Sequence, residues 1–204
     1  MEPLIQTMKA AIALLSDYTV QNVARRIVYE ICNRAEIRFF GSLLPAHVSL
    51  KQPFTFESME TLEGWFDSFS SRVAPFRIDL DRVYYDSSDD YTIVGLEVHE
   101  TPVLRATHNQ INHELKDLVF DSSAPHDGAE YRFHLTVELG RVGDTNPFKQ
   151  YYETMPKKNV SLSFMAEYLA LFFYTDKAIE PGTFFATRSC HYLENYDSLH
   201  HSPC

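Results

Sequence analysis

Hydrophobic and polar positions recur along this chain with two periods, and the switches between those periods mark out its elements. The apolar run Met8 to Leu15 (MKAAIALL) reads as a buried strand. From Asp17 to Arg34, the residues Val20, Val23, Ala24, Ile27, Val28 and Ile31 fall close to i, i+3, i+4, i+7, which predicts an amphipathic helix. Ala46 to Lys51 predicts a short strand closed by Gln52-Pro53. Ser58 to Val73 predicts a second helix with Leu62, Trp65, Phe66 and Phe69 on its core side. Phe76 to Tyr85 and Tyr91 to Val98 predict a hairpin around the turn-rich Ser87-Ser88-Asp89-Asp90. Thr101-Pro102 is a helix opening, with threonine as N-cap and proline in the first turn, and that helix runs to about Leu118. Tyr131 to Leu139 predicts the next strand, and Asn146-Pro147 opens another short helix. Ser161 to Thr175 and Gly182 to Tyr192 predict a final antiparallel pair around Glu180-Pro181-Gly182, with a frayed tail from Asn195.

Laid end to end, the order is strand–helix–strand–helix–strand, given twice. The first copy starts at Met8 and the second at Tyr91, 83 positions on. An internal duplication predicts such a spacing. The expected fold is α+β, with two pseudo-symmetric lobes around a central cleft, each a mainly antiparallel sheet with helices on the outside. The whole chain is expected to be one bilobal domain, with duplicated units at about 8–87 and 91–192 and a frayed tail at 195–204.

Composition changes this picture in three ways. At 45% hydrophobic and 23% charged, the 204 residues are those of an ordinary globular domain with a sizeable core. No apolar run approaches the roughly 20 residues of a membrane span, and Met1-Glu2-Pro3 lacks the basic start of a secretion signal. Cys32, Cys190 and Cys204 are odd in number and show no ligand spacing, which points to free thiols and a cytosolic location. A net charge of −10 argues against gripping long nucleic acid, yet allows a small anionic ligand held by a few cations in a cleft.

The candidate chemistry lies in histidine followed two residues later by a hydroxyl residue. That pattern occurs four times: His47/Ser49, His99/Thr101, His134/Thr136 and His200/Ser202. Thr101 is already accounted for as a helix cap, and His200 stands in the polar tail. The other two pairs share a context. Ala46, Val48 and Leu50 alternate with His47, Ser49 and Lys51; Tyr131, Phe133, Leu135 and Val137 alternate with Arg132, His134 and Thr136. Side chains alternate faces along a strand, so each strand is expected to bury one row and turn the other into an open groove. Both groove rows then carry a histidine, a hydroxyl and a cation. The two histidines lie 87 positions apart, close to the 83 that separate the copies.

These residue types suit the breaking of a phosphodiester bond. One group must activate the attacking oxygen and another protonate the leaving one. Histidine does either, since its unperturbed pKa of about 6.5 lies near neutrality. Hydroxyls of Ser49 and Thr136 can donate to non-bridging oxygens, where charge is held in the transition state. Lys51 and Arg132 are candidates to extend that clamp.

HVSL at 47–50 and HLTV at 134–137, in a duplicated α+β frame, resemble the 2H phosphoesterase superfamily, and more narrowly its 2′-5′ RNA ligase / cyclic nucleotide phosphodiesterase branch. The stretches LPAHVSLKQPF (44–54) and YRFHLTVEL (131–139) carry the resemblance, which covers roughly residues 8 to 192. The resemblance implies two lobes with the motif strands lining a cleft and chemistry without a metal or other cofactor. It further implies His47 and His134 as acid and base, with Ser49 and Thr136 as phosphate ligands. The implied activity is hydrolysis of 2′,3′-cyclic phosphates or related cyclic nucleotide phosphoesters. Ligation of RNA 2′-5′ ends and non-catalytic nucleotide binding are the alternatives. The expected partner is a small nucleotide or an RNA end, with no membrane, no long nucleic acid and a monomeric chain.

Other assignments are weaker. Phe54 is a candidate base-stacking residue, though a core role suits it better. Tyr84, Tyr85 and Tyr174 read as sheet-packing aromatics. Glu97 and His99 share a strand face, but there is no HExxH, and His108 and His113 are five apart, off a shared helical face, so zinc is not expected. No GxSxG elbow or glycine-rich phosphate loop is present.

Overall fold

Polar side chains set the helix starts. Asp17 Oδ1 accepts from the Val20 amide at 2.8 Å at the head of α1 (Tyr18–Ala35). Ser58 Oγ accepts from Thr61 N at the head of α2 (Met59–Ser70), and Thr101 Oγ1 from Leu104 N at the head of α3 (Pro102–Leu115). The computed structural model describes residues 8–35, 45–87, 91–120, 127–141, 153–154, 159–175 and 186–193. The strands are β1 (Met8–Leu15), β2 (His47–Phe56), β3 (Phe76–Ser87), β4 (Tyr91–Val98), β5 (His134–Arg141), β6 (Asn159–Ala166), β7 (Tyr168–Thr175) and β8 (Ala186–Tyr192). The short helix expected after Asn146-Pro147, the turn at 180–182 and the tail lie outside the described residues. Among the described residues no helix is long and apolar enough to cross a membrane.

The strands form one antiparallel sheet in the order β6-β3-β4-β5-β2-β1-β7-β8, which bears out the expected α+β class. Two runs of four, β2-β1-β7-β8 and β5-β4-β3-β6, meet at the pair Val48↔Leu135. Each run contains a strand–helix–strand unit whose strands are neighbours, β1-α1-β2 in one and β4-α3-β5 in the other. The helices cross over: α1 packs on β5 and β6, and α3 on β2.

Two strands differ from their expected form. The stretch Ser161 to Thr175 is two strands, interrupted at Glu167, with β6 on β3 and β7 on β1. One residue thus carries the chain between the two runs, which requires the sheet to curl. β2 does not close at Gln52-Pro53 but continues to Phe56. Its register against β1 slips twice, between Ala10 and Ile12 and between Ile12 and Ala13. These are bulges, where extra residues on one strand face fewer on the other, and Pro53, without an N–H, falls inside one.

The core fills the face covered by the helices. Val20, Val28 and Ile31 of α1, Leu62, Phe66 and Phe69 of α2, and Leu104, Ile111 and Leu115 of α3 meet Val48, Leu50, Leu96, Leu135 and Leu171 of the sheet. Each such side chain contributes about 1.5–3 kcal/mol when fully buried. On the opposite face Ala11, Ala13, Ala170 and Phe172 form a separate small cluster.

The bulge also reassigns Lys51. Leu50 and Lys51 are both buried, so the alternation that would have turned Lys51 to the groove breaks there. Lys51 is 0% exposed and pairs with Asp127, 2% exposed, at 2.5 Å. A charge left unpaired at such depth is strongly destabilising. Asp127→Asn is expected to reduce unfolding free energy by about 3–5 kcal/mol, measured by urea denaturation, with Lys51→Met/Asp127→Leu recovering most of the loss. Equal stability of wild type and the single variant would rule out a buried, charged pair.

Candidate active site

The antiparallel contact of β2 with β5 determines what the two motifs can share. Val48 and Leu135 pair there, and both are fully buried on the helix side. Continuing that register by one position either way sets His47 across from Thr136 and Ser49 across from His134. All four residues therefore point to the face away from the helices, where each is half-buried. Histidine and hydroxyl alternate across the strand boundary.

The two rings are held alike. His47 Nδ1 lies 2.8 Å from the carbonyl oxygen of Pro45, and His134 Nδ1 lies 3.0 Å from that of Arg132. A carbonyl can only accept, so Nδ1 carries the hydrogen in both rings, and Nε2 is left to give or take a proton. Each ring also meets an aromatic edge-on: His47 with Phe172 at 5.0 Å, His134 with Tyr84 at 5.7 Å. Tyr84 reaches that place because Gly95 leaves room. A Cβ at Gly95 would collide with the Tyr84 ring and stand 3.0 Å from the Leu135 carbonyl oxygen. Tyr84 thus lines the site as well as packing the sheet.

Burial lowers the pKa of both histidines, because it disfavours the charged form. The bonds to Pro45 and Arg132 work against that shift. His47 is lowered further by the neighbouring charge of His134, whereas Asp86 raises His134. The free site therefore favours two neutral rings near neutrality.

The other expected site residues separate. Arg132 is exposed and lies just ahead of β5, two residues before His134. Lys51 is on the core side with Asp127, as described above, and does not reach the groove. Phe54 is 0% exposed, packed edge-on against Phe56 at 6.4 Å, and offers no surface for a base. Among the described residues no group of three or more His, Cys, Asp or Glu side chains is arranged to hold a metal ion.

A polar network behind the site escaped the sequence reading. Gln52 N and Lys51 Nζ donate to the two oxygens of Asp127. The Tyr131 hydroxyl donates to the Ser49 carbonyl at 3.1 Å and accepts from Gln52 Nε2 at 3.0 Å. Burial raises its pKa, keeping it a donor. His108 Nδ1 donates to the Leu50 carbonyl at 2.7 Å, and its ring stacks on Tyr131 at 4.7 Å. Arg105 donates to the Gly128 and Tyr131 carbonyls. Asp127-Gly128 in a turn was the available signal, but nothing in the local pattern ties it to residue 51.

With this geometry, the chain can be compared with known proteins. In a search of curated proteins nothing matches. Among solved structures it is similar to one described as a phosphoesterase, at 15% identity and a TM-score of 0.63, over 93% of this chain and 99% of that one. It is similar to E. coli LigT complexed with NADP+, at 15% identity and 0.60, with the same shares covered. Kluyveromyces marxianus Usb1 matches at 12% identity and 0.53, over 91% of this chain and 99% of the other. Those likenesses carry the fold. A family model described as the 2'-5' RNA ligase superfamily matches residues 35–178, which contain both motif strands, and the chain accordingly belongs to that superfamily, the 2H phosphoesterases.

Proposed function

We propose that this chain is a metal-independent phosphodiesterase that hydrolyses 2′,3′-cyclic phosphates or related cyclic nucleotide phosphoesters, with His47 and His134 as its general acid and base. One observation carries the reading: two histidines on adjoining strands, each with Nδ1–H tied to the carbonyl two residues before it. Such a bond fixes the tautomer and the ring plane, and the carbonyl dipole stabilises the ring when it takes up a second proton. A cyclic phosphate seated over Val48 and Leu135 has an Nε2 on either side. The neutral ring removes a proton from water as it attacks phosphorus, and the protonated ring donates to the ester oxygen that leaves. Each ring ends with the proton state the other began with, and exchange with solvent resets the pair. Ser49 and Thr136 hydroxyls donate to the non-bridging oxygens. Arg132, exposed two residues before His134, supplies positive charge at the rim.

The family assignment and the folds of LigT and a phosphoesterase support this reading at the level of reaction class. The experiment is product formation from 2′,3′-cyclic nucleotides in EDTA. His47→Ala and His134→Ala are each expected to lower turnover by about 10²-fold or more, the scale of losing a general acid or base. Turnover indifferent to both substitutions, or none with any cyclic phosphate, would sink the proposal and favour a nucleotide-binding module.

The lowered histidine pKa values give a second test. Activity of the free enzyme needs one ring protonated and one neutral. With both pKa values below 6.5, kcat/KM is expected to peak on the acid side of that value. It should then fall about tenfold per pH unit once the remaining proton is lost. A bound anionic phosphate favours the protonated ring, so kcat should hold to higher pH than kcat/KM. A kcat/KM bell centred above the ordinary imidazole value would contradict the burial argument.

A further inference from the structure

The two histidines have unlike neighbours across the sheet. Directly opposite residues in a ladder share a face. From His47 the register leads to Leu15 on β1, Tyr168 on β7 and Tyr192 on β8. From His134 it leads to Glu97 on β4, whose carboxylate accepts from Arg82 of β3 at 2.5 Å. The two runs match in strand arrangement, but one row ends in aromatics and the other in an ion pair.

Tyr168 and Tyr192 are 43% and 53% exposed, and their rings meet edge-on at 5.3 Å. They lie on the site face. Ala170 and Phe172, which alternate in phase with Tyr168, belong to the cluster opposite the helices, and Phe172 touches His47. Steps of about 4.8 Å between strands put Tyr168 about 10 Å and Tyr192 about 14 Å from His47 along the sheet. That reach takes the pair beyond the nucleoside whose phosphate sits between the histidines and out to the outermost strand.

We infer that Tyr168 and Tyr192 form a stacking subsite for the nucleobase of a second nucleotide, so that the preferred substrate is a short RNA end carrying the cyclic phosphate rather than a free cyclic mononucleotide. This rests on the proposed function and narrows its substrate class. Charge favours the same conclusion. A chain with net charge −10 gains little by contacting further phosphates, whereas a base can be held through its π-face without any cation. The Arg82–Glu97 pair offers no such platform on the other flank.

The test is equilibrium binding of uridine 3′-monophosphate and of the trinucleotide UpUpUp, beside turnover of the matching 2′,3′-cyclic forms. Wild type is expected to bind the trinucleotide more tightly than the mononucleotide. Tyr192→Ala and Tyr168→Ala should each weaken trinucleotide binding about 5- to 100-fold, the range for one base–aromatic stack, and leave mononucleotide binding unchanged. Tyr192→Trp keeps a ring in place and adds a fluorescent probe to a chain whose single tryptophan is Trp65. The added indole fluorescence should be quenched by the trinucleotide and not by the mononucleotide. Equal affinity of wild type for both ligands, equal weakening of both by the alanine variants, or an unquenched probe in Tyr192→Trp with the trinucleotide bound would overturn the subsite. A trinucleotide preference that persists where no cyclic phosphate is turned over would uphold the subsite while removing the hydrolysis reading.

Discussion

A single ladder pair, Val48 with Leu135, joins the two runs of four strands at the centre of the sheet among the described residues, and the placing of both histidines depends on it. A slip of one residue there would turn His47 and Ser49 into the core and Val48 into the groove, because strand side chains alternate. One pair of main-chain contacts is a weak guard against that slip. The guard comes from behind. Asp127 holds Lys51 and Gln52, Tyr131 holds the Ser49 carbonyl, and His108 holds the Leu50 carbonyl. Arg105 fixes the carbonyls of Gly128 and Tyr131, just ahead of His134. Residues 49–52 of one motif strand are thus bound to residues 127–131 leading into the other.

This arrangement separates holding from reacting. The groups that fix the register lie on the core side, with Lys51 and His108 fully buried. The groups available for chemistry lie on the opposite face, half-buried. Burial acts on the histidines through the protein beneath and beside them, and lowers their proton affinity. The likeness of the two runs extends to Phe172 on β7 and Tyr84 on β3, which stand edge-on to the two rings from corresponding places in the strand order. It ends at the flanks, where Tyr168 and Tyr192 answer to Arg82 and Glu97.

Local pattern made the elements legible, and it made the paired histidines legible because an alternating strand declares its own faces. Alternation set His47, Ser49, His134 and Thr136 on one row apart from the apolar residues, and the β2–β5 register turns those four to the face away from the helices. Lys51 was misplaced by the same rule, since a bulge resets the phase and no residue type at 50–51 announces one. Phe54 lies in the core, the role that suited it better from the sequence. The division of 161–175 at Glu167 was invisible because both pieces are strand-like and only their distant partners tell them apart. Asp127, His108 and Tyr131 were out of reach for a related reason: hydrogen bonds across 58 to 82 positions leave no periodic trace. The room that Gly95 leaves for the ring of Tyr84 likewise depends on a neighbouring strand.

The joint at Glu167 has a consequence for how this chain comes to exist in time. β1 has β2 on one side and needs β7 on the other; β3 lies between β4 and β6. No run of four strands can therefore be completed from the first half of the chain as it emerges during synthesis. Both wait for the continuous passage from β6 into β7, after which the two close nearly together. Loops that must shut across such sequence distances make folding slow and leave strand edges open meanwhile. From residue 134 until β6 and β7 are made, the newborn chain carries both histidines without the framework that orients them, and its strand edges stand open to aggregation in that interval.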